Sequence, residues 1–273
     1  MAQNEIEAIA QELRSACETG QMLSGPLSAR PGFDLDTAYA VEAELKKFRE
    51  AAGHRAVGRK VGYANRAMWR ILKLETLVWG HMYEDTVHYS RNNAASLWPA
   101  HPRSLKIEPE IVFGLREAIT TPGLDAAGSL QRIDWIALGF EMIDCPYPGW
   151  QFQASDFVAS YGLHAALVVG EKVPVQAEMI GKLVDELPKF TLRMLKNGEL
   201  AEEGSGKNCL RSPALCLAEL GTAILKRFPN ERLSAGEVIS SGTLTAGHLT
   251  EKGDRWTAEV QGLSLPSLTL QLA

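Results

Sequence analysis

The chain reads as an α+β protein in which an N-terminal helical segment precedes a rolled or barrel-like mixed sheet. Three observations carry that expectation. Helical periodicity dominates up to about residue 55, strand-like runs follow from residue 56, and irregularly placed Gly, Pro, Asn and Asp turns separate them. Regular βαβ units would interleave strands with helices of similar length, so a mixed sheet fits better than a doubly wound parallel one.

In order along the chain, Ile6, Ile9, Leu13 and Cys17 recur at helical spacing. The segment GQMLSGPLSARPGF then ends that helix with Gly and Pro. Asp36-Thr37 reads as the N-terminal cap of a second amphipathic stretch through Ala40, Val41, Leu45 and Phe48, stopping near Gly53. The runs AVGRKVGY, KIEPEIVFGL, WIALGFEMI, HAALVVG, FTLRML, EVISSGTL, RWTAEVQ and SLTLQL read as strands, with helical pieces at 65–74 and 213–227. Trp69 and Trp79, within MWRILKLETLVWG, read as residues packing a helix. The expected organisation is a helical cap over 1–55 and one mixed-sheet metal-binding catalytic domain over 56–273. No repeat of fixed period and no low-complexity tail interrupts it.

Composition narrows the function. The chain has 273 residues, 45% hydrophobic and 22% charged, with net charge -5 and pI about 5.8. Its Lys and Arg are scattered among acids, so a basic groove for nucleic acid or a polybasic membrane surface is not expected. A small anionic substrate needs local positive charge or a metal, because the overall field mildly repels it. Cys17, Cys145, Cys209 and Cys216 form no C-x-x-C pair, which reads as reduced thiols in a cytoplasmic protein. The start MAQNEIEAIAQEL is polar and acidic, unlike a signal peptide, and no stretch approaches the roughly 18 apolar residues of a membrane span.

Several common motifs fail. GSGKN lacks the first glycine of a phosphate loop and has Asn208 where Ser or Thr is needed. No G-x-S-x-G elbow is present. The histidines lack zinc-binding spacing, and His164, in an apolar setting, reads as a satisfied core histidine.

The segment from Lys106 to Phe113 is the most informative. In an extended strand residues two apart share a face, so Glu108 and Glu110 project together with Lys106 while Ile107, Ile111 and Phe113 point toward a core. Pro109 cannot donate to a ladder, which predicts an edge strand or a bulge. A third acid, Glu141, interrupts the apolar run from Trp135 to Ile143, with Gly139 leaving room beside it. A buried unpaired carboxylate costs several kcal/mol and needs a partner or a proton. Two readings stay open on spacing alone. The three acids share a cation, for which an all-oxygen site suits Mg²⁺ or Mn²⁺. Alternatively Glu108 and Glu110 are solvated and Glu141 pairs with an arginine.

Two further segments bear on this. In Gly58-Arg59-Lys60-Val61-Gly62 the neighbours of Lys60 on its own face are glycines, which predicts a gap where a ligand approaches the amine; a surface lysine is the alternative. The run Gly236 to Thr243 leads a strand into a turn whose Ser241, Gly242 and Thr243 offer N–H and hydroxyl groups to an anion.

Taken in order, GRKVGYANRAMWRILKL, KIEPEIVFGL, ALGFEMID, the stretch from Trp150 through QFQASDFVA, and LSAGEVISSGTLT resemble the 2-oxopent-4-enoate hydratase and 4-oxalocrotonate decarboxylase family of the fumarylacetoacetate-hydrolase fold. The resemblance spans nearly the whole chain. It implies a mixed β-roll with a helical cap, and Glu108, Glu110 and Glu141 as ligands of Mg²⁺ or Mn²⁺. It further implies Lys60 as the active-site lysine, Asp156 lining the site, and a homo-oligomer. The implied activity is a lyase hydrating or decarboxylating a small 2-oxo or 2-hydroxydienoate acid through a metal-stabilised enolate. Acylpyruvate C–C hydrolysis and an inactive oxo-acid-binding module are the alternatives. Three positions depart from the family pattern: Val78 where an acid often precedes the aromatic-Gly pair, Asp144-Cys145-Pro146-Tyr147 where an arginine is frequent, and Ala159-Ser160-Tyr161 for an Ala-Asp-Asn run.

Overall fold

The computed structural model describes residues 1–273. Two long helices come first, α1 (Gln3–Thr19) and α2 (Leu35–Ala51), followed by strand β1 (Ala56–Gly62), helix α3 (Arg66–Leu72) and strands β2 (Val78–Tyr83), β3 (Val87–Tyr89), β4 (Ala94–Ser96) and β5 (Leu105–Leu115). Helix α4 (Ala126–Leu130) leads to β6 (Ile133–Asp144), then α5 (Ala154–Ala159), β7 (His164–Val169), β8 (Val173–Pro174) and α6 (Ile180–Glu186). The chain closes with β9 (Thr191–Lys196), β10 (Glu199–Ser205), α7 (Pro213–Arg227), β11 (Val238–Thr243), β12 (His248–Leu249), β13 (Arg255–Gln261) and β14 (Leu268–Gln271).

Each of the eight strand-like runs read from the sequence contains a strand, and 213–227 is helical. Two sheets result. The larger has nine strands in the order β2-β1-β11-β5-β6-β7-β3, with β12 attached to β5 and β8 to β6. The smaller runs β10-β9-β13-β14-β4. Most neighbours are antiparallel, but β1 with β11, β3 with β7 and β4 with β14 are parallel, so the sheet is mixed.

α1 buries Ile6, Ile9, Ala10, Leu13 and Ala16, and ends where Gly20 adopts φ 70°, a left-handed cap that glycine enters without strain. Cys17 is exposed rather than part of that apolar stripe, because Ala16 takes the inward position. The cap of α2 is Asp34, whose carboxylate accepts from the Thr37 N–H, while Asp36 lies in the first turn; the expected cap was two residues too late. Both helices contribute to one continuous core of 62 buried residues that also takes in the small sheet through Leu192, Met194, Trp256 and Leu270.

β5 and β6 form the centre of the large sheet, paired over their full length from Leu105↔Asp144 to Leu115↔Ile133. Strands flanked on both sides are buried on both faces and carry nearly continuous apolar residues, which is how both sequences read. Pro109 therefore lies not on an edge but in the middle of the sheet. The missing donor is absorbed on the β11 side, where the register shifts between Ser240 and Thr243. Trp79 lies in β2, not in a helix, and packs against Tyr39 of α2 at a centroid distance of 4.7 Å.

Gly58 shows why β1 sits where it does. It faces Val238 in the parallel β1–β11 pair, and a side-chain carbon there would stand 1.9 Å from the Val238 carbonyl oxygen. Replacing Gly58 by Ala must push β1 away from β11. Gly58→Ala is expected to destabilise the fold by about 1–3 kcal/mol, read as a lower urea midpoint. An unchanged midpoint would contradict this packing.

Candidate metal centre

The β5–β6 register sets Glu108 directly opposite Glu141 and Glu110 opposite Gly139. One carboxylate oxygen from each acid lies within 4.8 Å of the others. Glu110 and Glu141 are 1% and 0% exposed, and Glu108 is half-buried at the rim of a cleft. The space beside Gly139 is not empty, since a carbon there would meet the Val112 side chain at 2.5 Å. Val112 and Ala137 continue the carboxylate row as an apolar floor shared with Leu167 and Val238.

Each acid is held differently. Glu110 accepts from the Ser240 hydroxyl and, at 2.9 Å, from the Gly242 N–H. The hydroxyl- and glycine-rich end of β11 does hold a carboxyl group, but it is the protein's own Glu110. Ser241 turns away and donates to the Ile111 carbonyl at 2.8 Å, while Gly242 and Thr243 reach the cleft. Glu141 accepts from His164 Nδ1 at 2.9 Å, and His164 Nε2 lies 3.0 Å from the Thr86 hydroxyl. Glu141 accepts the Nδ1–H, while the Thr86 hydroxyl itself donates to the Tyr83 carbonyl at 2.9 Å. His164 is thus satisfied, as expected, but satisfied by Glu141. That contact bridges β6 and β7, and neither run alone announces it.

Lys60 completes the cluster. Its side chain is 2% exposed, and its ammonium donates to the Gly162 carbonyl at 2.9 Å. It lies 2.9 Å from Glu141 Oε2, an ion pair without the alignment of a hydrogen bond. The partner of Glu141 is therefore Lys60 with His164, not an arginine. Nor is the glycine-flanked space beside Lys60 open. A carbon on Gly62 would stand 2.4 Å from the Phe157 ring, and that ring lies 4.7 Å from the ammonium. Aromatic packing has taken the gap and fixes the amine.

Three carboxylates share one ammonium, so positive charge is short. Burial pushes the Glu108 carboxyl up to about 7, with Lys60 opposing and Glu141 adding to the rise. Burial, then the Glu141 and Glu108 charges, drive Glu110 well above its ordinary value. Glu141 goes the other way: burial opposes its charge, but Lys60 and His164 outweigh it and lower its pKa. For Lys60, burial is likewise overcome by the three carboxylates and its pKa is raised. Two oxygens, Glu110 Oε1 and Glu141 Oε2, are buried without a hydrogen-bond partner. Glu110 Oε1 meets no partner and Glu141 Oε2 only the Lys60 ammonium, and carboxylate oxygens left this way are what a hard divalent cation would satisfy.

The cleft beyond this cluster has a volume of about 460 Å³ and is walled by Lys60, Glu108, Gly242 and Thr243 at the acidic end. Asp156 lies outside it. Its carboxylate accepts from Ser28 N at 2.8 Å, Ser28 Oγ at 2.5 Å and Gln153 N at 2.7 Å, tying α5 to the segment between α1 and α2. The departures from the family pattern also lie away from the cleft. Val78 is buried in the core, Asp144 accepts from Arg103 Nε at 2.7 Å, and Ser160 pairs with the Tyr147 hydroxyl at 2.6 Å.

With this geometry in view, a family model described as fumarylacetoacetate (FAA) hydrolase C-terminal matches residues 61–270. The chain belongs to that family. Among curated FAA hydrolase relatives, the 2-hydroxyhexa-2,4-dienoate hydratase of Comamonas testosteroni is 27% identical, with 96% of each chain covered. The 4-oxalocrotonate decarboxylase of Pseudomonas sp. (strain CF600) is 26% identical with the same coverage. Among solved structures, the fold matches 4-oxalocrotonate decarboxylase from Pseudomonas putida G7, complexed with magnesium and adipate, at TM-score 0.88 and 24% identity, covering 100% of this chain and 99% of that one. The rolled FAA hydrolase sheet and its N-terminal helices are thus shared over the whole length.

Two outcomes follow. Asp156→Ala strips three donors of their acceptor and is expected to cost about 2–4 kcal/mol in thermal unfolding. Mg²⁺ affinity should stay within roughly twofold of wild type, since Asp156 touches no member of the triad. Loss of metal affinity at unchanged melting temperature would reverse that assignment. The pH dependence comes from Glu108 and Glu110. With pKa values raised above the ordinary 4.5, the folded metal-free chain holds protons that the unfolded chain has released. Stability of metal-free protein is therefore expected to fall as pH rises from about 5 through about 7, and Mg²⁺ to restore it. A flat or rising melting temperature over that range would refute the assignment.

Proposed function

We propose that this chain is a divalent-metal-dependent lyase acting on a small 2-oxo or 2-hydroxydienoate acid, by hydration or decarboxylation. The observation that carries the reading is the cluster of three carboxylates within 4.8 Å of one another, with Glu110 Oε1 buried and unpartnered, set beside a pinned lysine at the end of a cleft. Glu108, Glu110 and Glu141 would hold Mg²⁺ or Mn²⁺. The ion would supply Lewis-acid polarisation to a 2-oxo group.

The protein's own groups divide the remaining work. Ser240 and the Gly242 N–H fix Glu110, and His164 fixes Glu141, so the acids are pre-positioned. Lys60 Nζ is the sole cation on the cleft wall and is the group that gives or takes a proton at substrate carbon. Gly242 and Thr243 contact substrate from the wall, and Ser241 supports them from behind. Phe157 and Leu163 narrow access of water. Asp156 acts at one remove, holding α5 and with it Phe157.

The four free cysteines suit a reducing, cytoplasmic setting, and no helix is long and apolar enough to cross a membrane. The small-molecule acid is the partner in this reading, with no role for nucleic acid. Self-association into a homo-oligomer also belongs to it, although β5, being central, offers no free edge for that purpose.

Calorimetric titration of Mg²⁺ and Mn²⁺ into metal-free protein, with and without oxalate as a 2-oxo-acid mimic, tests the centre. Wild type is expected to bind metal, oxalate to tighten it, and Glu108→Gln/Glu141→Gln to abolish it. No binding by wild type under either condition would make the carboxylates structural. Lys60→Met should lower turnover of a 2-hydroxydienoate by about 10²–10⁴-fold while metal still binds. Turnover within a few fold of wild type would remove Lys60 from the chemistry.

A further inference from the structure

We propose that a second cavity, on the far side of His164 from the metal cluster, binds a small monocarboxylate with a flat apolar body. It has a volume of about 480 Å³, lies between α1, α2, β2, the start of β7 and residues 97–103, and shares no wall residue with the cleft already described. Five of the chain's six histidines line it: His54, His81, His88, His101 and His164. A shared cation does not account for that gathering, because the one group close enough to hold a metal is Glu108, Glu110 and Glu141. An anion does.

The charges on the wall leave a basic surplus. Each acid there has its own arginine: Glu18 pairs with Arg14, Asp85 with Arg49 and Asp144 with Arg103. His54 lies against Asp85, His81 against Glu42 and His164 against Glu141, which leaves His88 and His101 with no acid. Hydrogen bonding is unmet as well. Tyr83 and His81, 2% and 4% exposed, line the cavity, and Tyr83 Oη and His81 Nε2 are buried without a partner. A hydroxyl kept dry without an acceptor costs stability, which a ligand oxygen would offset. A carboxylate accepting from Tyr83 Oη would lie near the Arg49 guanidinium, itself 4.7 Å from the Tyr83 ring. Phe48, Trp98, Pro99, Pro102 and Tyr161 supply flat apolar walls for a ring or an unsaturated chain.

One short segment separates the two cavities. Tyr161, Gly162 and Leu163 are successive residues in the left-handed region, at φ 55°, 62° and 57°, a backbone that Tyr and Leu adopt only against strain. Tyr161 lines the second cavity, the Gly162 carbonyl accepts from Lys60, Leu163 lines the metal cleft, and His164 holds Glu141. A molecule packed on Tyr161 therefore restrains the segment that positions both Lys60 and Glu141. Metal and cavity ligand favour the same arrangement, so each tightens the other. The site stands apart from the function proposed above, and only this coupling rests on it.

Benzoate is the probe, titrated calorimetrically into metal-free protein and into Mg²⁺-loaded protein saturated with oxalate, where the metal centre is already filled. It is expected to bind both forms, at least about twofold more tightly in the second. Benzamide, of the same shape without the charge, is expected to bind at least about tenfold more weakly. Tyr83→Phe removes only an unpartnered hydroxyl, so it should melt no lower than wild type and yet weaken benzoate about fivefold or more. No saturable benzoate binding, equal binding of benzamide, or a Tyr83→Phe affinity within about twofold of wild type overturns the site. Binding that oxalate abolishes overturns it too, since benzoate then sits on the metal. Equal affinity in the two forms overturns the coupling. If Mg²⁺ itself fails to bind, the metal-free titration still decides the cavity, and the function proposed above falls separately.

Discussion

Burying three carboxylates within reach of each other is the constraint on which this structure turns. Desolvation and mutual repulsion oppose their charges, and one ammonium does not balance them. The sheet answers with specific partners: hydroxyl and N–H donors for Glu110, a histidine donor and an ion-paired lysine for Glu141. Glu108 receives the least, lies nearest solvent, and is the acid whose carboxyl is raised to about 7. What the donors leave unmet falls on Glu110 Oε1, which has no partner, and on Glu141 Oε2, which has only the Lys60 ammonium.

The architecture serves this arrangement. Long antiparallel β5 and β6 supply a rigid register, and β11 adds its bulge where Pro109 has no donor to offer. The bulge brings Ser240 and Gly242 round to Glu110. One imperfection in the ladder thus supplies both the accommodation of a proline and the cradle of an acid. On the other side β7 brings His164, and β1 brings Lys60 alongside β11. Five strands meet at one cluster because the sheet curls rather than lying flat.

Much of this was legible in the residues. Glu108 and Glu110 share a face by strand parity, and Glu141 stands out as a charge in an apolar run, so the triad was visible as a question. The answer depends on register, which parity cannot supply: a one-residue slip of β6 would turn Glu141 to the opposite face. The flanking glycines do single out Lys60, but they serve packing and not an open ligand gap. Gly62 makes room for the Phe157 ring, a residue almost a hundred positions away. β2 escaped notice because Trp79 follows a helical stretch with no clear turn between, and β10 because its burial is slight and its residues are charged. His164 and Asp156 show the same limit. Their partners, Glu141 and Ser28, are long-range neighbours that local periodicity does not report.

The Asp156–Ser28 tie has a bearing on what counts as a module. The family model matches from residue 61, after both N-terminal helices. Yet α5, which carries the aromatic wall of the lysine, is fastened by its carboxylate to a serine of the preceding stretch. A chain begun at the first strand would keep Glu108, Glu110 and Glu141 and leave buried Asp156 with only the Gln153 N–H as its donor. The matched unit and the folded unit therefore differ: the N-terminal stretch is part of the scaffold that holds Phe157 against the Lys60 ammonium.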